Sequence, residues 1–288
     1  MVIREIKARQ ILTKSGIPRA DYVINPYVGC QHGCVWCYAR FMKKFTNHTG
    51  RWGEFVDVKI NAPEILEKEL TKIKPKNIFL SSVTDCYQPL EQKYKLTRQI
   101  LEILSEYDIP VSILTESILV LRDIDIFKKM KDIEVGFTIV SDNDKINRIF
   151  QPFSSLPTQR IKALEKLSKE RIKTYVHLGP ILPKITNMES IFKKISGKVD
   201  YIGAETLNVK GANWFGVLRV LKKHFPKLVP EYQNIFFKER DFTPLDKTFH
   251  RDTLLNRQNY LTGFGENEAL FNTLCRKYGI KNAGFYTH

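Results

Sequence analysis

The sequence predicts an α/β chain whose parallel strands curl into a partial (β/α)6 barrel of the TIM type, followed by a C-terminal extension. Two observations carry this. Short β-branched apolar runs alternate with amphipathic helical patterns, and the alternation stops after residue 225. Strands and helices alternating at this spacing pair in parallel through right-handed crossovers. Six strands within about 185 residues fall short of the ~250 that a closed eight-stranded barrel takes. Periodicity alone leaves a doubly wound sheet open.

The first run, DYVINPYVG (21–29), leads into a group of cysteines. NIFLSSV (77–83), IPVSILT (109–115), IEVGFTIV (133–140), IKTYVHL (172–178) and VDYIGA (199–204) follow, each short and bounded by turn residues, as buried strands are. LTRQILEILSEY (96–107) puts Leu96, Ile100, Leu101 and Leu104 on one helical stripe. DIDIFKKM (123–130), PTQRIKALEKLSKE (157–170) and GANWFGVLRVLKKH (211–224) repeat the pattern, with Thr158 as the expected N-cap of the middle one. The tail holds Pro226, Pro230 and Pro244, then a helical segment, NEALFNTLCRKYG. The reading is a core over 1–210 with a basic N-terminal segment, and an extension over 211–288 packed on the barrel.

At 43% hydrophobic and 27% charged, the chain has the apolar content for a sizeable core, and disorder is excluded. No stretch approaches a transmembrane helix, and the start lacks the apolar region of a signal peptide. Five cysteines in 288 residues, three of them within eight, point to metal chemistry in a reducing compartment rather than to disulfides. The expectation is a cytoplasmic, metal-binding protein with no membrane partner. The net charge is +15, and residues 1–50 carry eight basic residues against Glu5 and Asp21. Such a field beside a reactive site draws polyanions, nucleic acid first; a lysine-rich surface kept for solubility is the alternative.

Cys30, Cys34 and Cys37 stand at spacing C-x3-C-x2-C directly after a strand. Three thiolates on one tight loop suit three corners of an iron–sulfur cluster, leaving the fourth iron for a small ligand. Gly29 and Gly33 let the backbone fold closely around it. A zinc site would need a fourth ligand, for which His32 and Cys86 are available.

The string NPYVGCQHGCVWCYAR resembles the radical S-adenosylmethionine (SAM) superfamily, in its spore photoproduct lyase-related, DNA repair photolyase-like branch. VTDCYQPLEQKYKLTRQILEIL, ILTESILVLRDIDIF, GFTIVSDNDKINRIFQPFSSLPTQRIKALEKL and GPILP agree with it in order, over about residues 20–187. The resemblance implies the partial barrel of radical SAM enzymes, a [4Fe-4S] cluster, SAM chelated to its unique iron, and an electron donor such as ferredoxin or flavodoxin. Reductive cleavage of SAM would yield methionine and a 5′-deoxyadenosyl radical that abstracts hydrogen from the substrate.

Carried onto this sequence, the resemblance makes Cys30, Cys34 and Cys37 the cluster ligands, with Trp36 beside the adenine and Tyr38 flanking the cluster. Thr84 and Asp85 would meet the amino group of SAM, and Thr138 and Ser141 its ribose or carboxylate. An ammonium favours an acidic neighbour, which singles out Asp85. An Asx-turn role for Asp85 and strand-end roles for the two hydroxyls are the alternatives.

The chain departs from the pattern in three places. Cys86 replaces a proline, Glu116 stands where a lysine would pair with the SAM carboxylate, and Gln151-Pro152 replaces Glu-Pro. Cys86 enters as a catalytic hydrogen donor, although Ser82 is nearer the matching position. Arg160 matches the pattern and otherwise reads as a surface ion-pair residue; Cys275 and His177 read as core residues. Tyr22, Tyr27, Tyr38, Phe41, Trp52, Trp214 and Phe215 are aromatics for stacking on bases or for filling a barrel mouth. The expected activity is repair of a lesion in nucleic acid or modification of a base. A peptide or small metabolite as substrate, and a non-catalytic cluster protein that binds nucleic acid, are the alternatives.

Overall fold

The computed structural model describes residues 1–17, 19–209, 213–237 and 257–287, with only the backbone for 257–264. The strands are β1 (Val2–Ile6), β2 (Leu12–Lys14), β3 (Tyr22–Ile24), β4 (Tyr27–Val28), β5 (Phe55–Lys59), β6 (Ile78–Leu80), β7 (Val111–Thr115), β8 (Ile133–Thr138), β9 (Lys173–Ile181), β10 (Tyr201–Thr206) and β11 (Lys281–Tyr286). Eight of them form one sheet in the order β11-β10-β9-β8-β7-β6-β3-β2. From β3 to β11 every pairing is parallel; β2 alone is antiparallel, at the edge.

This order settles the question that periodicity left open. A doubly wound sheet reverses its strand order at a switch point. Here the order follows the chain from edge to edge, so successive crossovers turn the same way and the sheet curls. The six expected strands are all present, and β11 adds a seventh parallel strand that the sequence reading missed.

The run 21–29 divides at Pro26. Proline cannot donate to a central ladder, so Tyr22–Ile24 stays in the large sheet. Tyr27–Val28 joins a second, three-stranded sheet in the order β1-β5-β4. Asn25 bridges the break: its amide donates to Ser82 Oγ at 3.1 Å, and its oxygen accepts from Val83 N at 3.0 Å. The small sheet thus becomes the platform from which the cysteine loop leaves.

The helices pack on the convex side. Leu96, Ile100, Leu101 and Leu104 all lie buried along Leu96–Leu104, as their stripe predicts. DIDIFKKM shortens to Ile124–Phe127 after a 3-10 segment, Ile118–Asp123. Thr158 is not the N-cap of Pro157–Lys169: Leu156 holds that place, Pro157 opens the helix, and the backbone N–H of Leu156 donates to Gln159 Oε1 at 2.9 Å. The Thr158 hydroxyl donates to Asp144 instead, at 2.8 Å. Cys275 lies in the core beside Phe271 and Leu274. Helix Asn213–His224 lies in the predicted run, while Pro244 falls outside the described residues. Among the described residues no helix is long and apolar enough to cross a membrane.

Candidate active site

β4 ends at Val28, and Gly29 turns the chain into the cysteine loop at φ +90°. A Cβ there would sit 2.3 Å from the Phe55 carbonyl, so only glycine lets the loop lie this close to β5. Gly33, at φ +64°, faces Gly53, where a Cβ would come within 2.9 Å of the Gly33 Cα.

The loop's backbone is pinned from four directions. Thr84 Oγ1 donates to the Gly29 carbonyl at 2.6 Å. Gln31 and Gln88 clamp it: Gln31 N donates to Gln88 Oε1 at 2.9 Å, and Leu90 N donates to Gln31 Oε1 at 2.6 Å. Arg40 spends its guanidinium on the loop, donating to Val35 O at 2.6 Å and Cys37 O at 3.0 Å. From the C-terminal part, helix Asn213–His224 presses Gly216 onto the loop, where a Cβ would stand 2.3 Å from the Val35 carbonyl.

Cys30, Cys34 and Cys37 come together on the wall of one cavity of about 740 Å3, which occupies the concave side of the barrel. Burial, and then the charge of Cys30, push the Cys37 thiol up to about 12. Burial also raises the Cys34 thiol well above its ordinary value, with Glu116 and the other two cysteines adding to it. Three buried thiols, with the Arg40 guanidinium and the His32 ring as the nearby cations, are the donor set that a cationic iron–sulfur centre would take. Among the described residues no three His, Cys, Asp or Glu side chains are arranged to hold a single metal ion. The zinc alternative finds no support: His32 turns Nδ1 toward Asp85 at 3.3 Å, and Cys86 lies off the cavity wall. The loop fits a cluster.

Trp36, Tyr38, Thr84, Asp85 and Thr138 line the same cavity; Ser141 does not. Trp36 packs on Phe150 with centroids 5.6 Å apart, and the Tyr38 hydroxyl donates to the Ser82 carbonyl. The Ser141 hydroxyl accepts from Asn143 N at 3.2 Å, so it serves its own turn. Cys86 requires a correction: its side chain is fully buried and absent from the cavity wall, and burial holds its thiol far above the ordinary range. A hydrogen donor needs access to the cavity, and the Cys86 thiol does not line it.

Asp85 is an Asx-turn residue. Its Oδ1 accepts from Tyr87 N at 2.8 Å and Thr115 Oγ1 at 2.7 Å. Its Oδ2 accepts from Glu116 N at 2.8 Å and faces His32. Burial would raise its pKa; the His32 ring and these donors outweigh that and hold it low. A carboxylate has about four acceptor positions; three take hydrogen bonds, and the His32 ring stands beside the fourth. Glu116 lines the cavity, and its Oε2 meets Cys34 Sγ at 3.0 Å.

Arg160 is not a surface residue. It is fully buried, donating to Thr138 O at 2.6 Å, Ser155 O at 2.8 Å and Ser154 Oγ at 2.5 Å, and so ties the end of β8 to the turn before its own helix. His177 is not a core histidine, because it lines the cavity. The sequence reading also missed Gln31 and Gln88; two amides 57 residues apart carry no local signal.

The Radical SAM superfamily model matches residues 24–194. An uncharacterised protein of Methanocaldococcus jannaschii is 40% identical over 225 residues, 78% of this chain and 84% of that one. A radical SAM Nalpha-GlyT isomerase of Pseudomonas phage M6 is 23% identical over 220 residues, 74% of this chain and 45% of that one. Among solved structures, spore photoproduct lyase complexed with dinucleoside spore photoproduct superposes with a TM-score of 0.66 at 16% identity, over 99% of this chain and 82% of that one. That likeness establishes the fold. With the family match spanning more than half of its length, the chain belongs to the radical SAM superfamily, enzymes whose cofactors are a [4Fe-4S] cluster and SAM and which draw on a reductant.

Proposed function

We propose that this radical SAM enzyme acts on nucleic acid, repairing a lesion or modifying a base. The observation that carries the reading is a run of three exposed aromatics that starts at Tyr38 on the cavity wall. Tyr38, Phe41 and Phe45 lie along the 3-10 helix Tyr38–Phe45, 47%, 42% and 74% exposed. Tyr38 and Phe41 stack with centroids 6.5 Å apart, and Phe45 meets Phe41 edge to face at 6.4 Å. Lys43 and Lys44 close the same helix. Rings on which any base can stack, beside charges that attract phosphates, make a track suited to a single strand. Tyr38 also lines the cavity, so the track leads to the cysteines. The fold match to a lyase solved with a dinucleoside lesion supports the same reading.

In this reading Cys30, Cys34 and Cys37 hold the cluster, with Trp36 and Tyr38 flanking the cofactors. Thr84 acts through the loop by fixing Gly29. Glu116, which lines the cavity beside Asp85, would hold the SAM ammonium, since three of the acceptor positions of Asp85 are already taken. When bound, the cofactors supply a carbon-centred radical after one-electron reduction by a ferredoxin- or flavodoxin-type donor. The protein's part is to orient the substrate beside the loop and exclude water. The test is anaerobic incubation of reduced, cluster-loaded protein with SAM, with and without single-stranded DNA or RNA. Formation of 5′-deoxyadenosine that nucleic acid stimulates supports the proposal. Formation that nucleic acid leaves unchanged, together with no salt-sensitive binding, overturns it.

A further inference from the structure

An electron bound for the cysteine loop need not pass through the cavity. Helix Asn213–His224 lies outside it, and none of its residues lines the cavity wall. It reaches the loop from behind. Gly216 is the point of contact: a Cβ there would stand 2.3 Å from the Val35 carbonyl and 3.3 Å from Arg40 Nη1. The same guanidinium donates to Val35 O at 2.6 Å and Cys37 O at 3.0 Å. The helix thus touches the backbone between Cys34 and Cys37 without entering the cavity.

Gly216, Arg219 and Lys223 follow one another at helical spacing on one face, with Lys222 beside them. The three basic side chains are exposed, and the charge of Arg219 is felt at Arg40. No aspartate or glutamate occurs between Glu205 and Glu231, which bracket this helix, or between Asp21 and Glu54, which bracket the cysteine loop. Two acid-free stretches, far apart in sequence, therefore meet at Gly216 and Val35. Within this helix no Phe, Tyr or Trp is exposed, so the face offers charge without rings on which a base could stack.

We infer that Arg219, Lys222 and Lys223 form the docking face for the electron donor, an acidic carrier protein of the ferredoxin type. The inference rests on the reading of Cys30, Cys34 and Cys37 as cluster ligands and is independent of the nucleic-acid reading. A substrate must enter the cavity, whereas a donor needs only to come near the cluster, and this face gives nearness without entry. A basic face that meets an acidic partner steers the encounter and sets its orientation. Docked there, reduced ferredoxin gives up one electron and is oxidised, the cluster is reduced by that electron, and no bond or proton moves. Because the face and the cavity lie on different sides of the loop, donor and substrate can be bound together.

The test is stopped-flow bleaching of the cluster absorption at low ionic strength, with reduced ferredoxin and, separately, with reduced methyl viologen, a small cationic donor. Replacing all three residues (Arg219→Glu, Lys222→Glu and Lys223→Glu) should slow reduction by ferredoxin about tenfold or more, the scale of electrostatic steering. The difference should shrink as salt is added, and reduction by the viologen should not slow. Anisotropy of labelled ferredoxin should show the matching loss of binding, and glutamine at the same three positions an intermediate one. Thermal unfolding and iron content restrict the comparison to folded, loaded protein. A triple variant that ferredoxin reduces as fast as wild type overturns the inference alone; if that variant has also lost single-stranded DNA, the face belongs to nucleic acid. Wild-type protein that the viologen reduces and ferredoxin does not overturns it equally. Wild-type protein that takes up no cluster, so that neither donor reduces it, overturns the cluster reading and the inference with it.

Discussion

The Cys34 thiol donates to the Glu116 carboxylate at 3.0 Å, joining the cysteine loop to the residue that follows β7 across 82 positions of sequence. The nearest cationic group to that carboxylate is His32 Nδ1 at 3.8 Å, which lies closer to Asp85 at 3.3 Å. An acid beside a thiol that becomes a cluster ligand is unfavourable until a cation joins it, and SAM brings one as its ammonium.

Glu116→Gln should therefore weaken SAM binding to cluster-loaded protein. A charge-assisted contact is worth about 1.5–3 kcal/mol, or about ten- to a hundredfold in affinity. Calorimetry with SAM measures this, and unchanged affinity would remove Glu116 from the cofactor site. Asp85→Asn should show its main effect in the melting temperature, because it gives up acceptors for buried donors at a cost of about 1–3 kcal/mol each.

Cys34→Ala should abolish the brown absorption of anaerobically reconstituted protein. Cys86→Ala and Cys275→Ala should keep it, since both thiols are buried, away from the cavity wall. Iron and sulfide analysis of the three variants checks the set. Full iron in the Cys34 variant would contradict the ligand assignment.

Phe41→Ala and Phe45→Ala should each weaken single-strand binding by about 1–3 kcal/mol, the worth of one stacked base. Lys43→Glu with Lys44→Glu should flatten the salt dependence, by about 0.7 in slope for each lost phosphate contact on single strands. Arg40 is basic and adjacent but should behave differently, since its guanidinium is committed to Val35 and Cys37. Arg40→Ala should reduce cluster content before it affects binding.

Asp123 is fully buried and receives Arg98 at 2.9 Å, Arg122 at 2.7 Å and the Tyr87 hydroxyl at 3.0 Å. Asp123→Asn leaves these donors short of a charge, and breaking such a buried pair costs about 3–5 kcal/mol. Urea unfolding should register the loss. A variant within 1 kcal/mol of wild type would mean that water or a neighbour takes over.

The alternation of apolar runs and helical stripes made the six central strands legible, because each run is buried on one face or both and must repeat with a fixed period. β11 was not legible: KNAGFY has half-exposed residues and no apolar run, and it is a strand only because β10 offers it an edge. The cysteine loop was legible because its chemistry lies within eight residues. Ser141, which lies off the cavity wall, and Arg160, which is buried, were misread for a common reason, which is that a polar side chain's partner is set by tertiary neighbours. His177 was misread because Tyr175-Val176-His177-Leu178 alternates as any half-buried strand does. A period of two says that one face differs from the other, and not that the face looks into a cavity.

The contact between Gly216 and the Val35 carbonyl has a consequence for how the protein comes into being. The three cysteines lie within the first forty residues, yet one wall that presses the loop into shape belongs to a helix at Asn213–His224. During synthesis the thiols emerge early and wait, exposed, while most of the barrel is made. The wall of the loop is therefore completed only once residues 213–224 have been made. A ribosome-bound chain halted before residue 213 should take up cluster poorly, however well its cysteines are formed.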